Sequence, residues 1–106
     1  MLHEIIDEVR IWTEAVRGTY GANLKIEVLT DRSDSYRVIF DTENSMAELY
    51  IGEPDFAPYR YVSYEVAAVV EDKGACCVYW WYDDETCTLQ DIIANLDKGI
   101  RFAMEY

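Results

Sequence analysis

Histidine is nearly absent. His3 is the only one in 106 residues, and a single imidazole near the N-terminus gives Ser-His-Asp or Cys-His catalysis no anchored base. Cysteine is scarce and odd in number: Cys76, Cys77 and Cys87 offer no even framework for a stapled secreted scaffold. With one histidine they also make no four-ligand zinc pattern, so a reducing, cytoplasmic setting is expected. The five glycines are scattered, and Gly18 and Gly21 lead into a strand-like run rather than a helix, which excludes a phosphate-cradling loop. Long apolar runs are missing too. The longest uncharged, mainly apolar stretch, Ala75 to Tyr82, is far shorter than the roughly 20 residues that span a bilayer. Acids at Glu4 and Asp7 stand where an export signal would carry positive charge.

The most informative shortage is of basic residues. Nine Lys and Arg against 21 Asp and Glu leave a formal charge of −12, which argues against direct binding of nucleic acid or of an anionic membrane. Carboxylates are so plentiful that their pairing alone does not indicate acid-base catalysis. Asp83, Asp84 and Glu85 are read as a solvated acidic turn rather than a Mg²⁺ or Ca²⁺ site, and the stretch from Asp41 to Gly52 lacks the glycine and final glutamate of an EF-hand loop. No catalytic residue, metal or cofactor is assigned.

What is present fits one compact domain over residues 1–106, with 51% hydrophobic residues and few glycines and prolines. Leu2, Ile5, Ile6, Val9, Trp12 and Val16 recur at helical spacing, predicting an amphipathic helix that stops near Arg17, with Gly18 as its cap. The period then changes to two. Leu24, Ile26 and Val28 alternate with Asn23, Lys25 and Glu27, Tyr36, Val38 and Phe40 with Arg37, Ile39 and Asp41, and Ala47, Leu49 and Ile51 with Met46, Glu48 and Tyr50. Pro54 and Pro58 mark a longer loop between Gly52 and Tyr59. Arg60 to Glu71 and Ala75 to Tyr82 are β-rich runs joined by a hairpin signal at Asp72, Lys73 and Gly74. Thr88, followed three residues later by Asp91, forms a capping box, so a second helix starts at Leu89. Gly99 inside it either weakens the helix or admits a close neighbour. The expected fold is α+β: a five-stranded, mainly antiparallel sheet with an N-terminal and a C-terminal helix packed on one face.

With helices on one face, the more apolar residues of each alternation, including Val28, Val78 and Trp80, are assigned to the core. Tyr50, Tyr61, Tyr79 and Trp81 then fall on the open face, where they are expected to form a patch edged by Glu48, Glu65 and Asp83. Acids cluster in two blocks that hold no base: Asp41, Glu43, Glu48, Glu53 and Asp55, then Asp83, Asp84, Glu85 and Asp91. Such a field speeds encounter with a basic surface by about 10 to 10³, and Tyr and Trp are common interface anchors. The expected function is that of a non-catalytic inhibitor occupying the basic cleft of a nucleic-acid-handling protein. Its binding residues are Asp41, Glu43, Glu48, Tyr50, Glu53, Asp55, Tyr61, Glu65, Tyr79, Trp81, Asp83, Asp84 and Glu85. In size and charge the chain is similar to phage anti-CRISPR and anti-restriction proteins and to immunity proteins that neutralise nuclease toxins; no motif extends that similarity to particular residues. The competing expectations are a small-ligand or enzymatic domain and a homodimer formed through the exposed sheet.

Overall fold

A computed structural model describes residues 1–53 and 60–106; Pro54, Asp55 and Pro58, with the loop expected around them, lie outside the described residues. Helix α1 spans Leu2–Tyr20, and a single 3-10 turn at Gly21–Asn23 follows it. Strands β1 (Lys25–Asp31), β2 (Tyr36–Asp41), β3 (Met46–Ile51), β4 (Val62–Val70) and β5 (Gly74–Tyr82) come next, and α2 runs from Leu89 to Glu105. The strands pair antiparallel in chain order, β1-β2-β3-β4-β5, the arrangement that hairpin connections produce. No helix among the described residues is long and apolar enough to cross a membrane.

The helix ends follow from local chemistry. At α2, the Thr88 hydroxyl accepts from the Asp91 N–H at 3.1 Å and the Asp91 carboxylate accepts from the Thr88 N–H at 2.9 Å, the reciprocal pair that its spacing predicts. At α1 the expected stop is early. Gly18 stays helical, and the chain turns at Gly21, whose φ of 55° suits a residue without Cβ; Gly21 donates its N–H to the Arg17 carbonyl.

Both helices cover one face of the sheet. Ile5, Ile6, Val9, Trp12 and Val16 from α1 and Ile92, Leu96, Ile100 and Ala103 from α2 bury themselves against Tyr36, Val38, Phe40, Ala47, Leu49, Ile51, Val62, Tyr64 and Val66. The burial is enough, at about 25 cal/mol per Å² of apolar surface, to dominate the folding free energy. Polar contacts then fix orientation. Trp12 donates its indole N–H to Asp97 at 2.7 Å, tying α1 to α2, and the Tyr36 hydroxyl donates to Thr13 at 3.1 Å while Thr13 bonds back to the Val9 carbonyl. Arg10 reaches from α1 to Asp31 and to the Arg32 carbonyl, clamping the β1–β2 hairpin to the helix.

Gly99 of α2 lies hard against Tyr64 of β4. A Cβ there would lie 2.4 Å from the Tyr64 ring, so the glycine lets α2 settle directly on β4. The Tyr64 ring is fully buried, and its hydroxyl has no hydrogen-bond partner among the described residues; burial pushes its pKa up, so it stays a neutral phenol.

Candidate functional site

The face of the sheet opposite the helices is the one available to a ligand or partner, and strand register assigns its residues. One row crosses all five strands: Glu27 lies opposite Ile39, Ile39 opposite Glu48, Glu48 opposite Glu65 and Glu65 opposite Trp80. Cross-strand partners point to the same side, so this row carries three exposed carboxylates and ends on an exposed indole. Trp80 is 61% exposed. A second row runs through Thr30, Arg37, Tyr50, Ser63 and Tyr82, and a third through Lys25, Asp41, Met46, Ala67 and Cys77.

Electrostatics on this face are unbalanced. Glu48 and Glu65 stand directly opposite each other, a like-charge pairing that disfavours the isolated sheet. Arg37 is nearest to relieving it, 3.9 Å from Glu48, but its guanidinium also lies over the Tyr50 ring at 5.0 Å. The Glu65 carboxylate has the Cys77 sulfur 4.0 Å away. At the third row, Met46 and Ala67 join Val69, Ala75 and Tyr106 to line a shallow depression of about 760 Å³ that Asp41 and Glu43 also border. Val69 is 81% exposed. Apolar floor and acidic rim are thus contiguous.

Several expected site residues are elsewhere. Tyr79 and Trp81, assigned above to the open face, lie on the covered one: they pair with the buried Val66 and Tyr64 and pack against the core. Tyr79 stacks on Phe102 of α2 with centroids 4.7 Å apart and meets Tyr64 edge-on at 6.0 Å. The cause is a register break between Val66 and Ala67, which leaves Val78 as an extra residue on β5. Below it Cys76 faces the core; above it Tyr79 and Trp81 do, and Trp80, expected in the core, turns outward. Val28, also expected in the core, is 42% exposed because β1 lies at the sheet edge.

Asp83, expected as the acidic edge of the patch, is 2% exposed. One of its oxygens accepts from the backbone N–H groups of Arg60, Tyr61 and Val62 at 3.0, 2.8 and 2.8 Å. It is a structural anchor for the start of β4. Tyr61 is half-buried against the core, with the Arg60 guanidinium 4.7 Å over its ring. Of the remaining residues, Asp41, Glu48, Tyr50 and Glu65 share the open face, Glu43 sits in the β2–β3 turn, and Glu53, Asp84 and Glu85 are exposed; Asp55 lies outside the described residues. Asp84 is held as carboxylate below its ordinary range by hydrogen bonds from Thr86. Glu27 was placed on the open face by the sequence reading but left out of the binding set, and Ile39 and Trp80 were missed. Ile39 was legible from strand alternation, whereas Trp80 was hidden by the bulge.

Among the described residues no three His, Cys, Asp or Glu converge to hold a metal ion, and the three cysteines are free thiols. Burial, reinforced by the negative charge of Asp84, pushes the Cys87 thiol up. The thiolate is the reactive species, so at neutral pH Cys87 is expected to alkylate more slowly than the exposed Cys77. Its rate should climb at higher pH than that of a free cysteine. Intact-mass kinetics with iodoacetamide on Cys→Ser variants that retain one thiol each check this; equal rates at pH 7 for the two would refute it.

No family model matches the chain, and neither a curated protein nor a solved structure matches it.

Proposed function

We propose that this chain is a non-catalytic protein-binding domain whose acidic open face occupies the basic, nucleic-acid-binding cleft of a nuclease or defence enzyme. The observation that carries this reading is the row Glu27, Glu48, Glu65 and Trp80 on the uncovered face. Adjacent strands are about 4.8 Å apart, so Glu48 and Glu65 hold two negative charges at close spacing on a rigid scaffold. Arg37 meets only the Glu48 end of this pair, at 3.9 Å, and a cleft built for phosphates supplies further cations. Trp80 adds an apolar anchor at the end of the row, a residue type whose truncation in an interface costs about 2 kcal/mol or more. The net charge of −12 favours encounter with a basic partner from any direction. Direct binding of nucleic acid is disfavoured by the same charge.

The test is affinity capture from a cell lysate with two baits, the parent chain and a Glu48→Lys/Glu65→Lys/Trp80→Ala variant, each eluted by a salt gradient and read by mass spectrometry. All three side chains are exposed, so the variant is expected to fold. A nucleic-acid enzyme retained by the parent alone and released at moderate salt supports the reading, since exposed charge pairs are screened within about 8–10 Å at physiological salt. Equal recovery on both baits, or no such enzyme on either, refutes it.

A further inference from the structure

The two edges of the sheet are protected differently. Strand β1 carries Lys25, Glu27 and Asp31 and a register break between Val28 and Thr30, the charges and irregularity that keep an edge from pairing with another chain. Strand β5, at the other edge, has no charged residue and no proline from Gly74 to Tyr82. The bulge at Val78 interrupts it once, leaving regular backbone on either side. On the open face its Ala75, Cys77 and Trp80 are exposed, so an added strand would find side chains to pack beside.

Charge at the two ends of β5 selects the occupant. Exposed Glu71 and Asp72 precede the strand, with Lys73 beside them, and exposed Asp84 and Glu85 follow it. If two copies paired antiparallel about Val78, Glu71 would face Glu85 and Asp72 would face Asp84 at both ends of the interface. Like charges directly opposite disfavour that pairing. A foreign segment with basic residues at both ends meets attraction instead. We infer that the outer edge of β5 is a strand-addition site for an extended, basic-flanked segment of a protein partner. Main-chain hydrogen bonds supply the affinity and the terminal acids the selectivity. The inference rests on the reading of the partner as basic and adds to it a second, separate contact surface.

The probe is a synthetic peptide of alternating threonine and valine with two lysines at each end, studied with the full chain by fluorescence titration and hydrogen-exchange mass spectrometry. Strand addition uses one edge of the peptide. N-methylation of one alternate set of its amides is therefore expected to weaken binding about tenfold or more, and methylation of the other set to leave it nearly unchanged. Exchange within β5 should slow when the unmethylated peptide binds. Equal tolerance of both methylated sets, with binding lost in Glu48→Lys/Glu65→Lys, would overturn the edge site and leave the acidic-face reading standing. Absence of peptide binding alongside a positive lysate capture would do the same. A dimer by light scattering with β5 protected before any peptide is added would put a second copy on the edge and overturn the inference.

Discussion

Asp83→Ala is expected to lower the unfolding free energy by about 3 kcal/mol, read as a shift of the urea midpoint at constant slope. One carboxylate oxygen accepts three consecutive backbone N–H groups, from Arg60, Tyr61 and Val62. Hydrogen bonds to a charged acceptor contribute about 1.5–3 kcal/mol each in buried settings, but Arg60 and Tyr61 are only half-buried and regain water when the acceptor is removed. The Val62 N–H is fully buried and does not. The loss is therefore set mainly by one orphaned donor and by the charge-dipole attraction of all three. Asp83→Asn keeps an acceptor oxygen in place and loses the charge, so a smaller loss of about 1–2 kcal/mol is expected. Hydrogen exchange should accelerate first at Tyr61 and Val62, because the Asp83 backbone also pairs with Arg60 and Val62 and the whole entry to β4 hangs on that residue. An alanine variant within about 0.5 kcal/mol of the parent would show that water substitutes for the carboxylate.

Asp83 also shows where sequence reading stops. Its partners lie 21 to 23 residues upstream, and beside Asp84 and Glu85 it looks like one more acid in a solvated turn. Nothing local separates an acid that faces solvent from one that faces a cluster of amides. The capping box at Thr88 and Asp91 was legible because both partners sit within one helical turn. Antiparallel pairing was legible because short turn signals join consecutive strands, and the helices' apolar stripes told that they cover one face; the order of the strands in space was not legible and came only from the observed pairing. The phase of β5 was not. Cys76 to Tyr82 is apolar or aromatic at both parities, so alternation assigns Trp80 and Trp81 to opposite faces without saying which goes where. Only the pairing with β4, whose alternation is clear at Val62, Tyr64 and Val66, fixes the answer, and the bulge at Val78 reverses it midway. The candidate surface changed accordingly: the acidic residues of β3 and β4 remained on it, Tyr79 and Trp81 left it, and Trp80 joined it.

Gly99→Ala is expected to destabilise the protein by about 2 kcal/mol even though alanine is the better helix former by about 1 kcal/mol. The new methyl carbon would lie 2.4 Å from Cε1 and 2.8 Å from Cδ1 of Tyr64, inside any tolerable contact, so either the ring or α2 must move. The ring has little room. It is fully buried on β4 with Tyr79 against its edge, and Tyr79 is itself stacked on Phe102. Moving α2 instead would open the contacts of Leu96, Ile100 and Ala103. Tyr64→Phe separates the ring from its hydroxyl: the buried oxygen has no partner among the described residues, so its removal is expected to raise stability by about 1 kcal/mol. The decisive comparison is Gly99→Ala in a Tyr64→Leu background. Tyr64→Leu alone leaves a cavity and lowers stability, but it also takes away the atoms that the new methyl group strikes. In that background the same glycine substitution should become neutral or stabilising, as helix propensity and the partly filled cavity then act in the same direction. A change of sign between the two backgrounds, measured as a coupling of about 2 kcal/mol in a double-mutant cycle, would identify the α2–β4 contact as the reason for a glycine in mid-helix. An unchanged penalty would mean that the backbone of α2, and not Tyr64, excludes the side chain.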